Sequence, residues 1–208
     1  MFAEIFWSAI LSAVATVAGS AWIDKLYDAC KELTFPDEIA SRSKFRRPIL
    51  FCALTVLNCV VLTATDVPEK LFLLTATFLL MLMTVTDFEQ YMLFDAMTAP
   101  LALLGAAFVW QTGLSVQEHL TAAIIGGGIF FGLAFLSKGA LGGGDVKLIA
   151  ALGLWLGYQK LLHVVLLGAV SGGLAAVLMI LLKQKDRSSY FAYGPYFALA
   201  AIYVLLCD

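Results

Sequence analysis

Long apolar stretches separated by short polar breaks run along the whole chain. Stretches long enough to cross, or nearly cross, a hydrocarbon layer of about 30 Å lie at residues 3–23, 48–65, 70–86, 97–114, 119–137, 145–158, 161–182 and 191–206. The pattern predicts an all-α fold, a polytopic membrane protein with about eight transmembrane helices. The boundary between the sixth and seventh stretches is the least defined, because only Tyr158, Gln159 and Lys160 separate them.

Composition excludes a soluble globular protein. The chain is 62% hydrophobic and 13% charged over 208 residues, whereas soluble domains are ~45–50% apolar and ~25% charged. We expect residues 1–208 to form a single integral-membrane domain with one substantial loop at 24–47. Residues 5–23 of the first stretch follow Glu4 rather than a basic region, so we interpret the stretch as a retained span and not as a signal peptide.

Basic residues are distributed unevenly between the loops. All 13 except Lys70 and Lys160 lie in, or at the helix margins of, the loops at 24–47, 87–96, 138–144 and 183–190. The positive-inside rule therefore places these loops in the cytoplasm and both termini on the opposite side. We interpret the basic end of the first loop, Arg42 to Arg47, as a topology anchor against anionic lipid; the alternative is that it holds a substrate tail.

Two acids differ from the others by their position at the ends of apolar stretches. Asp87 closes the third stretch, and Asp145 opens the sixth directly after Gly142–Gly144. The other acids, Glu89 among them, are interpreted as loop or terminal charges held by solvent. A carboxylate at the mouth of a hydrophobic helix is costly and indicates a function. The glycines have no Cβ and would let an extended peptide approach closely.

Two carboxylates brought together in a low-dielectric site share a proton, because both cannot comfortably ionise. The ionised acid can then take a proton from an attacking water while the protonated acid donates to the carbonyl oxygen. The reaction that this interpretation assigns to Asp87 and Asp145 is peptide hydrolysis. The alternatives are a proton relay, ion coupling in a small transporter, or a structural ion pair with Lys147. Lys147 itself is expected to anchor its helix by snorkelling, or else to bind a substrate carboxylate.

The residue types that bind metals are scattered along the chain. Its four cysteines form no CxxC pair, and neither His119 nor His163 has a ligand-type neighbour three or four residues later. We therefore expect no metal site and no cofactor. The late glycines, such as Gly153 and Gly168, are interpreted as helix-packing positions that give Asp145 a rigid frame.

Three motifs resemble the bacterial type IV prepilin peptidases, which are membrane aspartic proteases of the GxGD type. The stretch from Gly142 to Gly153 is similar to that family's second-aspartate motif. Asp87 to Asp95 is similar to the first, an acid followed eight residues later by another, although Phe94 stands where the family usually has proline. Tyr193 to Ala200 resembles the family's late glycine-proline motif.

The resemblance implies an aspartic endopeptidase in the bacterial inner membrane, with periplasmic termini and an active site facing the cytoplasm. Asp87 and Asp145 match the catalytic pair, and Asp95 matches a secondary acid expected to support or position its loop. Gly142, Gly143, Gly144 and Lys147 are expected to support the site or bind substrate. The implied partners are prepilin or pseudopilin substrates, membrane lipids, and pilus or type II secretion machinery, with no nucleic acid.

One departure from the family concerns the first loop. Many family members carry paired CxxC motifs there that bind zinc, and they also N-methylate the new terminus. The loop at 24–47 contains only Cys30. The chain is therefore identified as a short form, in which zinc binding is not expected and methyltransferase activity is in doubt.

Overall fold

A computed structural model describes residues 2–64, 67–137, 141–182 and 191–207. In these ranges the chain forms helices and connecting segments without a strand, which confirms the predicted all-α class. The α-helices are α1 (Phe2–Ala29), α2 (Ile39–Arg42), α3 (Arg46–Ala64), α4 (Val67–Gln90), α5 (Asp95–Thr112), α6 (Val116–Leu136), α7 (Gly143–Leu181) and α8 (Gly194–Cys207). Short 3₁₀ turns, Pro36–Glu38 and Ser43–Phe45, flank α2.

Within the described ranges, five helices are long and apolar enough to cross a membrane. They are Ala3–Ala29, Pro36–Thr63, Glu69–Gln90, Val116–Leu136 and Gly143–Leu181. The chain is therefore a multi-pass membrane protein, while the count of eight spans and the orientation of the termini stay predictions. The basic residues Lys138, Lys183, Lys185 and Arg187, used to predict that orientation, lie outside the described residues.

The sixth and seventh apolar stretches form one helical element, α7, with a break close to the predicted boundary. Gly157 has φ 65° and ψ −168°, which interrupts the helix. Glycine occupies this left-handed region at little cost because it has no Cβ. A break deprives nearby carbonyls of their regular helical partners, and the buried His119 donates from Nδ1 to the Leu154 carbonyl oxygen at 2.9 Å.

The described residues divide into two compact units, Met1–Phe94 and Asp95–Asp208. In the first unit, α1, α3 and α4 pack together. Every fourth residue along one face of α1 is small, polar and buried, namely Ser8, Ser12, Thr16 and Ser20. Ser8 donates to the Thr55 carbonyl oxygen (2.9 Å), and Asn58 donates to the Ser12 hydroxyl (2.9 Å). These bonds join α1 to α3 where small side chains let the backbones approach.

In the second unit, α7 packs against α5, α6 and α8. A Cβ at Gly153 would lie 2.5 Å from Ala123 Cα, so α6 and α7 approach to a distance that no larger residue allows. A Cβ at Gly105 would likewise lie only 2.4 Å from Trp155 Cδ1, so α5 and α7 are also in close contact. The Trp155 indole nitrogen donates to the Leu101 carbonyl oxygen at 2.7 Å.

The predicted packing role is confirmed at Gly153 and at Gly168, where a Cβ would lie 2.3 Å from Phe197 Cδ1. It is wrong at Gly157, which breaks the helix, and at Gly128 and Gly173, where no atom of the described residues lies within 4 Å of a built Cβ.

Large apolar side chains are exposed along the outer faces of several helices. On α1 and α7 they include Phe6, Trp7, Val170 and Leu174. Exposure of this kind is unfavourable in water and is accounted for by a lipid environment.

Candidate active site

Asp145 lies in the first turn of α7, and the glycines before it shape that turn. Gly142 is the N-cap, with extended backbone (φ −72°, ψ 147°), and the helix begins at Gly143. The amide of Gly142 donates to Asp145 Oδ2 at 3.3 Å, and the Asp145 amide donates to the Gly142 carbonyl oxygen at 3.1 Å. The helix N-terminus also stabilises a negative charge at this position.

The second carboxylate oxygen of Asp145 has a different environment. The residue is only 8% exposed. Its Oδ1 is buried and accepts no hydrogen bond from the described part of the chain. Buried polar atoms are normally satisfied, and one left without a partner costs about 1–3 kcal/mol. An acid kept in this condition at a helix start is suited to bind something that enters from outside, such as a water, a peptide or a second acid.

Lys147 forms an ion pair with Asp95, which is neither of the two acids considered as its partner from the sequence. Its Nζ lies 2.7 Å and 2.8 Å from the two carboxylate oxygens of Asp95, the first residue of α5. Both side chains are more than half exposed, at 56% and 69%. The pair links the start of α5 to the first turn of α7, next to Asp145. The supporting role of Asp95 stays a prediction, and its ion pair with Lys147 is the contact through which Asp95 would act.

Asp87 lies in the last turn of α4 and is 6% exposed. The helix ends three residues later at Gln90. Tyr91 then adopts a left-handed conformation (φ 54°), while its amide donates to the Asp87 carbonyl oxygen at 2.9 Å. A bulky residue held at positive φ costs of order 1–3 kcal/mol, so the surrounding contacts must enforce this turn.

Those contacts come from the segment between α1 and α3. Gln90 bonds both backbone groups of Phe35: its Oε1 accepts from the amide (2.8 Å), and its Nε2 donates to the carbonyl oxygen (3.1 Å). Arg42 donates from Nη1 to the carbonyl oxygens of Phe88 (3.2 Å) and Glu89 (2.9 Å). A cation near the last carbonyls of a helix stabilises that end.

Two interpretations made from the sequence are wrong at this helix end. Glu89 is not held by solvent but is 6% exposed, and Arg46 is not available to lipid headgroups but is 4% exposed. Arg46 Nε and Nη2 donate to the Glu89 carboxylate at 2.8 Å and 2.6 Å. One signal was present in the sequence: an acid within a turn of a buried apolar run requires a cation. Nothing in the pattern indicated which of the basic residues supplies it.

An open groove of about 680 Å³ lies between α5, α6 and α7. Its walls are mostly apolar or small, including Ala99, Gly128 and Ala150. Val146 and Lys147, the two residues after Asp145, line it as well. The groove therefore begins within the helical turn that carries the acid.

No group of three His, Cys, Asp or Glu residues within the described ranges is placed to hold a metal ion. Cys30, Cys52, Cys59 and Cys207 are free thiols. The structure assigns Asp87 to the first unit and Asp145 to the second, and their meeting stays a prediction.

Comparison with known proteins decides the family. Residues 73–177 match the type IV leader peptidase family. The prepilin leader peptidase/N-methyltransferase of Escherichia coli (strain K12) is 31% identical over 161 residues, which cover 74% of this chain and 71% of that protein. The chain belongs to the type IV leader peptidase family. No solved structure matches it significantly.

Other members of the leader peptidase family are longer than this chain. The prepilin leader peptidase/N-methyltransferase of Aeromonas hydrophila is 34% identical over 161 residues, and the match covers 56% of it. For that of Pectobacterium carotovorum subsp. carotovorum the match covers 48%, at 33% identity. The chain thus spans about half the length of these two relatives. Asp87, Asp95 and Asp145 all lie inside the residues that match the family, while the Gly194-Pro195 motif lies beyond them.

Proposed function

We propose that this chain is a membrane aspartic endopeptidase that cleaves the leader from type IV prepilin-like precursors. The carboxylate of Asp145 carries the proposal, because its Oδ1 is buried without a partner at a helix start opened by glycines. The relatives' names support the substrate class, since those proteins are prepilin leader peptidases. Methyl transfer, which the same names include, is not part of the proposal.

In the proposed reaction Asp87 and Asp145 act as a pair that shares one proton. The ionised acid removes a proton from a water whose oxygen attacks the scissile carbonyl carbon. The protonated acid donates its proton to the carbonyl oxygen, which gives a neutral tetrahedral diol. Return of a proton to the amide nitrogen then breaks the C–N bond and releases the leader carboxyl and the new amine. Both acids are buried, which strengthens their electrostatic effect on the developing charge.

The groove beside Asp145 suits the apolar stem that follows the scissile bond in such precursors. It begins at Val146 and continues along α7 to Leu154, a rise of about 12 Å. Small residues on its walls allow another helix to approach closely. Under this proposal the stem lies against α5, α6 and α7 while the peptide bond is held next to the α7 N-terminus.

The proposal includes a membrane arrangement. About eight spans would cross a bacterial inner membrane with both termini in the periplasm, which puts Asp87 and Asp145 at the cytoplasmic face. The uneven distribution of basic residues supports this orientation. Pilus or type II secretion machinery would receive the processed subunits.

The experiment is direct cleavage in detergent or lipid nanodiscs. Purified protein incubated with a prepilin should yield a shortened product whose new N-terminus is identified by mass spectrometry. Asp145→Asn should yield no product, whereas Asn at the exposed Asp37 should leave the rate unchanged. A wild-type preparation that inserts correctly but leaves several prepilins and pseudopilins uncut would rule the proposal out.

A further inference from the structure

A buried ion pair lies next to Asp87 and has no part in the chemistry proposed above. Arg46 and Glu89 have side chains only 2% and 8% exposed. Arg46 donates from Nε to Glu89 Oε1 (2.8 Å) and from Nη2 to Glu89 Oε2 (2.6 Å). Tyr27 donates its hydroxyl to the same Oε2 at 2.9 Å, and Arg46 Nη1 also bonds Asp24.

The ion pair joins two nitrogens of the Arg46 guanidinium to both oxygens of the Glu89 carboxylate. The planar guanidinium binds the carboxylate through two parallel bonds, which fixes direction as well as distance. Every carboxylate oxygen of Glu89 accepts at least one hydrogen bond. Buried ion pairs bring little net stability compared with well-packed apolar residues, so their best-attested use is to specify one arrangement.

The pair joins three helices at one point. Arg46 is the first residue of α3, Tyr27 lies in the last turn of α1, and Glu89 lies in the last turn of α4. Asp87 is two residues before Glu89 on the same turn. A helix terminus without such restraint frays and opens easily, and the carboxylate of Asp87 would move with it.

We propose that Arg46 and Glu89 are positioning residues that hold the last turn of α4, and with it the Asp87 carboxylate, in the arrangement needed for cleavage. The inference rests on the proposed function. Neither residue touches the reacting atoms in this account. Their effect should therefore appear in kcat, because misplacing a catalytic group by about 1 Å costs roughly 100-fold in rate.

The decisive variant replaces both partners by apolar residues of similar length, Arg46→Met with Glu89→Met. Removing one partner would leave a buried unpaired charge, but removing both avoids that cost and should leave a folded, inserted protein. If the pair only stabilised the fold, cleavage would return in the double variant. We expect instead a normal thermal midpoint, a KM within about threefold, and a kcat lower by about 100-fold.

Arg46→Lys gives a second, conservative test. It keeps the positive charge but loses the two-pronged geometry, so kcat should fall between those of wild type and the double variant. The control carries the same loss of charges at exposed positions, Lys25→Met with Glu32→Met, and should cleave like wild type. Control-level kcat in the double variant or in Arg46→Lys would overturn the inference.

Hydrogen exchange separates this inference from the proposed function. Backbone amides in a peptide covering residues 84–91 should exchange faster in both pair variants than in the control, whether or not the protein cleaves prepilin. Unchanged exchange there would overturn the positioning role by itself. Failure of wild type to cleave would remove the proposed function, while the exchange data would still decide whether the pair holds the end of α4.

Discussion

Asp87 and Asp145 are buried to nearly the same degree, 6% and 8% exposed, but their surroundings differ. Asp87 lies at a helix C-terminus that Arg42, Gln90 and the buried Arg46–Glu89 pair hold in place. Asp145 lies at a helix N-terminus where backbone geometry and the Gly142 amide hold one oxygen, and the other has no partner in the described residues.

The difference shows two ways of placing a buried carboxylate at a helix end. At Asp145 the helix terminus supplies the favourable field, and no atom of the described residues lies within 4 Å of a Cβ built at the preceding Gly143. At Asp87 the local field of a C-terminus is unfavourable to an anion, so side chains from two other helices must fix the end of α4. Replacements near Asp87 that leave a buried charge unpaired should therefore reduce stability as well as activity, whereas replacement of Asp145 should reduce activity alone.

The largest effect is expected for Asp145→Asn. Loss of the acid should lower the cleavage rate by roughly 10²–10⁴-fold. Its thermal midpoint should change little, because removing a buried charge with one unpartnered oxygen offsets the lost interaction with the helix N-terminus. Cleavage kinetics and thermal unfolding in the same detergent measure both quantities. A large drop in the thermal midpoint would mean that Asp145 is a structural residue, and the proposed difference between the surroundings of Asp87 and Asp145 would not hold.

Glu89→Gln should lower stability in addition to activity. Arg46 would remain buried without its anionic partner, which should lower the free energy of unfolding by about 3–5 kcal/mol. Glu38→Gln is the matched control, because Glu38 forms an exposed salt bridge with Arg42 and should cost less than about 1 kcal/mol. Denaturant titrations of both variants measure their free energies of unfolding. Equal losses of free energy would contradict the assignment of Arg46–Glu89 as a buried ion pair.

A narrower test concerns the groove beside Asp145. A side chain at Gly128 would enter it, because no atom lies within 4 Å of a Cβ built there. Gly128→Leu should raise the KM for prepilin by about tenfold, equivalent to 1.4 kcal/mol of lost binding. Gly132 lies on the same helix with equal free space and does not line the groove. Equal KM values for Gly128→Leu and Gly132→Leu would exclude the groove as the place of the stem.

The smallest effect is expected at the exposed Lys147–Asp95 pair. Exposed pairs contribute about 0–1 kcal/mol, so Asp95→Asn should leave the thermal midpoint nearly unchanged. If the pair orients the first turn of α7, cleavage should fall a fewfold, and added salt should reproduce part of that loss in wild type. A loss as large as that of Asp145→Asn would instead give Asp95 a direct role in the chemistry.

Several features followed from local pattern alone. The apolar stretches correspond to helices, and the polar break predicted at 158–160 lies next to the interruption at Gly157. The packing role of Gly153 in α7 also followed from local pattern, since close approach requires the absence of Cβ. The helix α1 was predicted too short, because Asp24 and Lys25 in its last turns resemble loop residues until their contacts are known.

The sequence by itself determined the membrane class and the helices, because a backbone in lipid must satisfy its hydrogen bonds within each segment. Only the tertiary structure decided which charges meet. Arg46 and Glu89 are separated by 43 positions, and Lys147 and Asp95 by 52. Several basic residues have the same local sequence pattern. Which of them pairs with a given acid depends on burial and distance, and these are set by how the helices pack.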